Sequence, residues 1–488
     1  MKIAYSREQL TFEEMKGSLS CLPKDNQWVR LGDSLPWDEF DKLYLSKLRN
    51  DSRGAKNLPS RMIIGALIIK HKKRLSDIDT IQEIRENPYM QYMLGLTEYT
   101  DKPIFDPSLF VTIRKRITIE DINDLTLALA KESEAEKKDD DDEPDKTRHT
   151  DIKVDATCAD AEVKYPTDCG LLDDSARFIE RMLQKACKLL HIPVSRNSRS
   201  LIHAKYIRLT KLRHKGKKIR EETLRYMLSH VHKDIMRLSE LLPSVWNSLN
   251  ITEKRTMAAV IKVFNQQEYM FKNGIHTCKD RIISIFQPHV RPIVRGKAGA
   301  RIEFGGKIGV SVVDGYTYID HHSWDAYNEC ADFDTHISLY EERFGRKPQR
   351  FFADKIYMTK ENRRKLRDLG IQCMGARLGR PPKVKPQEQI DNERIGNSLR
   401  NEVEATFGTS KRVYRADNIR AKLPGTAECW TGMCYFVKNL TRFLRGLCRV
   451  LTEKLPFGRI LGIIRLAIGE LVWKILLPCY SETKMLIA

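Results

Sequence analysis

The stretch that most constrains this chain is "ESEAEKKDDDDEPDK", Glu132 to Lys146, with nine acids and three bases. No hydrophobic core absorbs such a block, so it reads as a solvated linker over 132–148. The chain must therefore fold as parts on either side of it. At 488 residues it exceeds a single ordinary core in any case. Before the block the pattern is helical. After it, "HTDIKVDATCAD" alternates as a strand does.

Charge narrows the partners. With 85 Lys and Arg against 65 Asp and Glu, the net charge is +20. Clustered cations favour a polyanion through counterion release, which points to nucleic acid. Eleven cysteines are scattered without a Cys-x-x-Cys pair, and the closest two, Cys429 and Cys434, lack partners at zinc-finger spacing. Reduced thiols in a cytoplasmic protein are the simplest account. Residues 1–8 show no signal-peptide pattern, and the apolar stretch Phe457 to Leu477 is interrupted by Arg459, Arg465, Glu470 and Lys474, which argues against a membrane span.

Residues 1–131 read as short helices. "SDIDTIQEIRENP" starts at Ser76 or Asp77 and breaks near Pro88. "DPSLFVTIRKRI" carries Arg114 and Arg116, candidates for DNA contact in a small helical bundle, with a basic packing helix as the equal alternative. Beyond the first strand, 170–290 is again helical. There Leu224, Leu228, Val231, Ile235, Leu238 and Leu242 form a short coiled-coil-type seam. Just before it, Arg196 to Arg220 holds ten cations and no acid. Lys211, Arg213, Lys215, Lys217 and Lys218 in this run are candidate phosphate contacts.

Strands return around Ile308, Val310 and Val312, with Asp314-Gly315 as a hairpin turn. "RFFAD" is a short strand ending at Asp354, and "TKENRRKLRDLG" is a helix from a Thr359 cap to a Gly370 stop. Phosphoryl transfer with divalent ions needs fixed carboxylates, and Asp155, Asp354 and a glutamate from "RNEVEATFGTSKR" are the candidates. At about 100° per residue, Arg400, Glu404, Phe407 and Lys411 share a stripe and Glu402 lies opposite. The wheel thus predicts that Glu404 turns with Phe407 toward the sheet while Glu402 faces solvent. Gly408 is the point where this helix could end or kink.

These segments resemble the DDE transposases of bacterial insertion sequences. Arg400, Glu404 and Lys411 match the signature Tyr-x2-Arg-x3-Glu-x6-Lys of one branch, with Asn397 in place of the Tyr. "VDATCADAEVKYPTD" and "ADKIYMTKENRRKLRDLGI" are similar to the segments around the two aspartates. The resemblance implies an α/β fold: a ribonuclease H-like mixed-sheet catalytic core, split as 149–169 and 291–445. A large helical insertion follows the first strand, an all-helical DNA-binding domain precedes the core, and 446–488 forms a helical tail. It implies that Asp155, Asp354 and Glu404 hold two Mg²⁺, with Mn²⁺ a substitute. It also implies that Arg400, Lys411 and Arg412 contact DNA. The expected partners are element ends, target double-stranded DNA and a second copy in a homodimer, at the bacterial nucleoid. A nuclease without strand transfer and a repurposed non-catalytic DNA-binding protein remain the alternatives at this point.

Overall fold

A computed structural model describes residues 19–48, 57–138, 150–194, 198–294, 302–374 and 387–453. Seven helices come first: α1 Gln27–Ser34, α2 Trp37–Leu45, α3 Ser60–Lys73, α4 Asp77–Glu86, α5 Pro88–Met93, α6 Leu109–Arg116 and α7 Ile119–Lys138. Their boundaries follow local chemistry. Ser76 caps α4 by accepting from the Asp79 N–H, and Asn87 caps α5 ahead of Pro88, which has no N–H to lose there. Helix α7 runs on to Lys138, so the first seven residues of the acidic block are helical rather than linker. The rest of that block, 139–148, lies outside the described residues.

Strand β1 Asp151–Asp160 follows, then the insertion: α8 Asp168–Leu189, α9 Arg199–Lys211, α10 Lys217–Val245 and α11 Ile251–Asn273. The chain returns through β2 Arg291–Val294, β3 Ile302–Val313, β4 Tyr316–Ser323, α12 Phe333–Phe344, β5 Arg350–Phe352, α13 Lys360–Asp368 and β6 Gln372–Cys373. It closes with α14 Gln387–Tyr414 and α15 Pro424–Glu453. The strand, helical insert, strands, strand, helix order is the one the pattern predicts. The tail from 454 onward lies outside the described residues.

The sheet runs β2-β3-β1-β5-β6, with β4 also paired to β3. β1 is antiparallel to β3 and parallel to β5. The β3–β4 hairpin turns at Asp314-Gly315, both with positive φ of 48° and 78°, which is the geometry Asp-Gly supplies. A β-bulge falls at Gly309/Val310. Gly309 cannot carry a side chain, because a Cβ there would sit 2.7 Å from the Asp332 carboxylate.

Two cores result. The insertion closes on itself: Leu171, Phe178, Met182, Met227, Leu228, Val231, Leu238, Val260 and Val263 form one cluster. The predicted seam on α10 is thus spent inside the chain, against α8 and α11, and is not a free dimer surface. The N-terminal helices do not stand apart. Phe40, Ile63, Leu67, Phe110 and Leu129 share a single cluster with Val310, Phe351, Val403, Phe436 and Phe443. Two asparagines make the junction. On α7, Asn123 donates to the Ile319 carbonyl at 2.8 Å and accepts from its N–H at 3.1 Å. On α15, Asn439 does the same for Thr317, at 2.8 and 3.0 Å, and also donates to Thr126 at 3.3 Å. Each carboxamide stands in for a neighbouring strand along β4.

Asn439 is fully buried, so Asn439→Ala strands a backbone N–H and C=O. We expect destabilisation by about 2–4 kcal/mol. Urea unfolding followed both at Trp28 and Trp37 and by far-ultraviolet circular dichroism should give one coincident transition. Earlier melting of the N-terminal helices alone would show that they are an independent domain.

Candidate active site

The last registered pair between β1 and β5 is Lys153 with Phe352. Two residues further along each chain come Asp155 and Asp354. A step of two keeps a side chain on the same face, and neighbouring strands lie about 4.8 Å apart. Asp155 thus stays on the face that Lys153 shares, and Asp354 lies two residues past the end of β5, at the same end of the strand pair. Each is fixed in the same manner: the Asp155 carboxylate accepts from the Ala156 N–H and that of Asp354 from the Lys355 N–H, both at 2.8 Å. Asp155 is half-buried and Asp354 exposed.

Helix α14 packs on β1 and β5. It passes Gly408 without a break and ends at Tyr414. Its buried side chains, among the described ones, are Val403, Thr406, Phe407, Ser410 and Tyr414. On a wheel with Arg400 at 0° these centre on about 300°, with Glu402 at about 200° and Glu404 at about 40°. The two glutamates therefore flank the buried stripe on opposite sides, about 100° from its centre. This corrects the expectation from sequence twice. Glu404 does not turn inward with Phe407 but is exposed, and Glu402 is half-buried rather than solvent-facing. Glu402 pairs with Lys153, whose side chain is only 8% exposed. The wheel alone fails here because it fixes angles between side chains but not which angle meets the sheet. The signal that finds the pairing is Lys153, which strand alternation in "DIKVDAT" places two residues before Asp155.

The other candidates divide. Arg400 lies in α14, with its side chain outside the described residues. Arg412 is exposed. Lys411 finds its acids within the protein, 3.8 Å from both Asp160 and Glu303. With Cys158 these acids form the one trio of potential metal-ligand residues, among the described residues, whose atoms all lie within 4.8 Å of one another. Burial and the nearby Glu303 raise the Asp160 carboxyl, against the pull of Lys411. Lys211, Arg213, Lys215, Lys217 and Lys218 are all exposed around the α9–α10 turn. Arg116 is exposed, but Arg114 is not a surface residue. It is 5% exposed and makes a bidentate pair with Asp77 at 2.8 and 2.8 Å, so the DNA contact predicted for it is replaced by a structural one.

The oxygens of Asp155, Asp354 and Glu404 do not all fall within 4.8 Å of one another. They therefore form no closed cage of ligand atoms. Near Asp155, Tyr357 is fully buried, its hydroxyl without a hydrogen-bond partner, and burial and the carboxylates of Glu329 and Asp155 push its pKa up.

Comparison with known sequences bears on what this sheet, its two aspartates and the glutamates of α14 serve. Residues 19–116 match the family model described as a transposase domain (DUF772), and 351–441 match the transposase DDE domain. The two matches, one toward each end of the described chain, support a DDE-type insertion-sequence transposase. The DDE domain implies a ribonuclease H-like core, and the family generally uses divalent metal ions. Asp354 and Glu404 fall inside the matched segment and Asp155 outside it. The chain is also 27% identical over 157 residues to the uncharacterized protein ORF8 in the nfe locus of Rhizobium meliloti, covering 32% of this chain and 72% of that one. No solved structure matches. Among the described residues, no helix is long and apolar enough to cross a membrane.

Removing Glu402 leaves Lys153 charged and covered. Glu402→Gln should therefore cost about 1–3 kcal/mol. Glu404→Gln, on the exposed flank, should stay within about 0.5 kcal/mol. Paired thermal melts would reverse this ordering if α14 were rotated.

Proposed function

We propose that the chain binds the terminal inverted repeats of its own element, cleaves the ends by metal-assisted phosphodiester hydrolysis and joins them to target DNA. The observation that supports this reading is that Asp155 on β1 and Asp354 just past β5 lie at the same end of two paired strands, with α14 packed on both. Glu404 is the third acid. Glu402 is excluded by its engagement with Lys153, whereas Glu404 is exposed to an incoming strand.

Asp155, Asp354 and Glu404 hold two Mg²⁺, for which Mn²⁺ substitutes. When bound, the ions supply Lewis-acid stabilisation of charge on the attacking and leaving oxygens. The protein's part is position. The Ala156 and Lys355 N–H groups fix the two aspartates, and the ribonuclease H-like core fixes the strands that carry them. Hydrolysis breaks one phosphodiester bond and leaves a 3′ hydroxyl. That hydroxyl then replaces water as the nucleophile on a target phosphate, so one bond forms for each one broken. Arg400 and Arg412 on α14, with Arg116, hold backbone phosphate. The exposed α9–α10 run tracks it further out. Two ends must be cut and joined, so two copies act together at the bacterial nucleoid, through a surface other than the α10 seam.

Asp155→Asn, Asp354→Asn and Glu404→Gln should each abolish Mg²⁺-dependent cleavage of DNA carrying the flanking repeats while leaving DNA affinity near normal. Full nicking by any of the three would remove that residue from the site. Cleavage by the wild type with no joined product would favour a nuclease without strand transfer.

The basic run is tested separately. Changing Lys211, Arg213, Lys215, Lys217 and Lys218 to Gln should weaken binding alike on all sequences. It should also flatten log K against log salt by about 0.9 for each phosphate that the variant no longer neutralises. An unchanged slope would make the run an ordinary solvated face.

A further inference from the structure

Lys153 and Glu402 stand 249 positions apart in the chain and meet directly, strand to helix. Strand β1 is bonded on both sides at this point, where Lys153 pairs with Val312 of β3 and with Phe352 of β5. Two residues on from Lys153 and Phe352 come Asp155 and Asp354, and two residues on from Glu402 comes Glu404. Among the described residues, Glu402 is the carboxylate that Lys153 meets. Lys438 of α15 lies near Glu402 as well, with its Nζ donating to the Gly315 carbonyl and the Thr317 hydroxyl, both at 2.9 Å.

The buried stripe of α14 is poor at fixing the rotation of the helix. Val403, Phe407 and Tyr414 are its apolar members, while Thr406 and Ser410 are small. Apolar packing has no direction of its own. Gly408 adds no side chain, and a Cβ there would meet nothing within 4 Å. Ion pairs supply the direction. Glu402 meets a strand cation beside Asp155, and Lys411 lies 3.8 Å from Asp160 at the other end of β1. The polarity is opposite at the two ends, so a helix laid the other way round would bring like charges together. Rotation matters because Glu404 lies on the far flank of the stripe. Side chains reach about 5–6 Å from the helix axis, so a roll of about 10° moves their tips by about 1 Å. A misplacement of about 1 Å can slow a reaction about a hundredfold.

We propose that Lys153 and Glu402 are a positioning pair that sets the rotation of α14, and so where Glu404 stands relative to Asp155 and Asp354. This rests on the reading of those three acids as the metal ligands. Neither member of the pair touches the reacting atoms. The two halves differ in exposure, with side chains 8% and 35% exposed. Loss of Glu402 leaves a covered ammonium without its counter-charge. Loss of the Lys153 charge leaves a carboxylate that water reaches. The two changes must therefore differ in stability yet agree in activity, and that asymmetry separates positioning from stabilisation alone.

The test is a double-mutant cycle in the full chain. Each variant is measured for Mg²⁺-dependent cleavage of DNA carrying the flanking repeats, for DNA affinity and for Tm. Lys153→Met keeps the length of the buried stem without its charge, so its Tm should stay near that of the wild type. Glu402→Gln should lower the Tm. Both should cleave about tenfold to a hundredfold more slowly. Both should also need more Mg²⁺ for half-maximal rate, while binding DNA as tightly as the wild type. The double variant should be no slower than the slower single one, because the same contact is lost in each. Lys153→Arg, which keeps the charge, should recover most of the rate. If Lys153→Met cleaves at the wild-type rate with the wild-type Mg²⁺ dependence, the pair is a stabilising contact only. If its DNA affinity falls in step with its rate, Lys153 is a phosphate contact. Either result overturns the proposal and leaves the reading of the three acids intact. A wild type without Mg²⁺-dependent cleavage, or a Glu404→Gln that cleaves normally, overturns that reading and the proposal with it.

Discussion

The paired bonds that Asn123 and Asn439 make along β4 tie the molecule together. β4 is bonded to β3 on one side only, and an unpaired strand edge is a row of unsatisfied donors and acceptors. Here two helices, from opposite ends of the sequence, each present a carboxamide in place of a strand. The bonds are directional and buried, so they fix how α7 and α15 lie on the sheet as well as holding them there. α3 and α6 then pack on α15. Because those helices share one core with β1, β5 and α14, the placement of the acids inherits the rigidity of this junction. The insertion has its own closed core, which frees the sheet from its length: 199 positions separate Asp155 from Asp354, yet each lies two residues past one registered pair of neighbouring strands.

Much of this is legible in sequence because it is local. Alternation gives β1. Ser76, Thr359 and Gly370 mark helix ends that the backbone keeps, with Thr359 accepting from the Asn362 N–H. Asp-Gly gives the hairpin. The failures are all of one kind, and each concerns what a face meets. The α10 leucines announce a partner but not whose helix it is. "TIRKRI" shows a basic helix, yet Arg114 and Arg116 are two residues apart and on different sides. One is locked to Asp77, and the other is in solvent. Charge alone makes the acidic block a linker, whereas its first residues extend the helix that carries Asn123.

The opening of α14 shows how a sequence argument reaches a residue by the wrong path. Angle and apolar company favour Glu404 on the premise that Phe407 carries it inward. In the fold the same residue points outward, while Glu402 is paired with Lys153. Glu402 answers a lysine that strand alternation buries beside Asp155. Burial also pushes Lys438, near Glu402, down to about 8. One flank of α14 thus neutralises internal cations, and Glu404 lies exposed on the other.

The same division limits what a net charge of +20 can say. Lys70 and Arg114 serve Asp77, Lys153 serves Glu402, Lys307 serves Glu329, Arg343 serves Asp320 and Arg350 serves Asp151. Asp320 is fully buried. Burial alone would raise its carboxyl, but Arg343 and His336 hold it below its ordinary value, so that arginine is bound into the core. Cations of this sort are not available for counterion release, which requires a mobile, solvated charge meeting phosphate. What is available includes two places: the exposed α9–α10 turn on the insertion, where Lys217 lies 3.8 Å from Glu221, and the exposed Arg116 and Arg412 on helices α6 and α14. They stand on parts of the chain with separate cores, and the acids belong to the second. A strand gripped by both is held by two bodies at once. In that arrangement the turn contributes affinity without register, and the contacts built into the catalytic core decide which phosphate meets the acids.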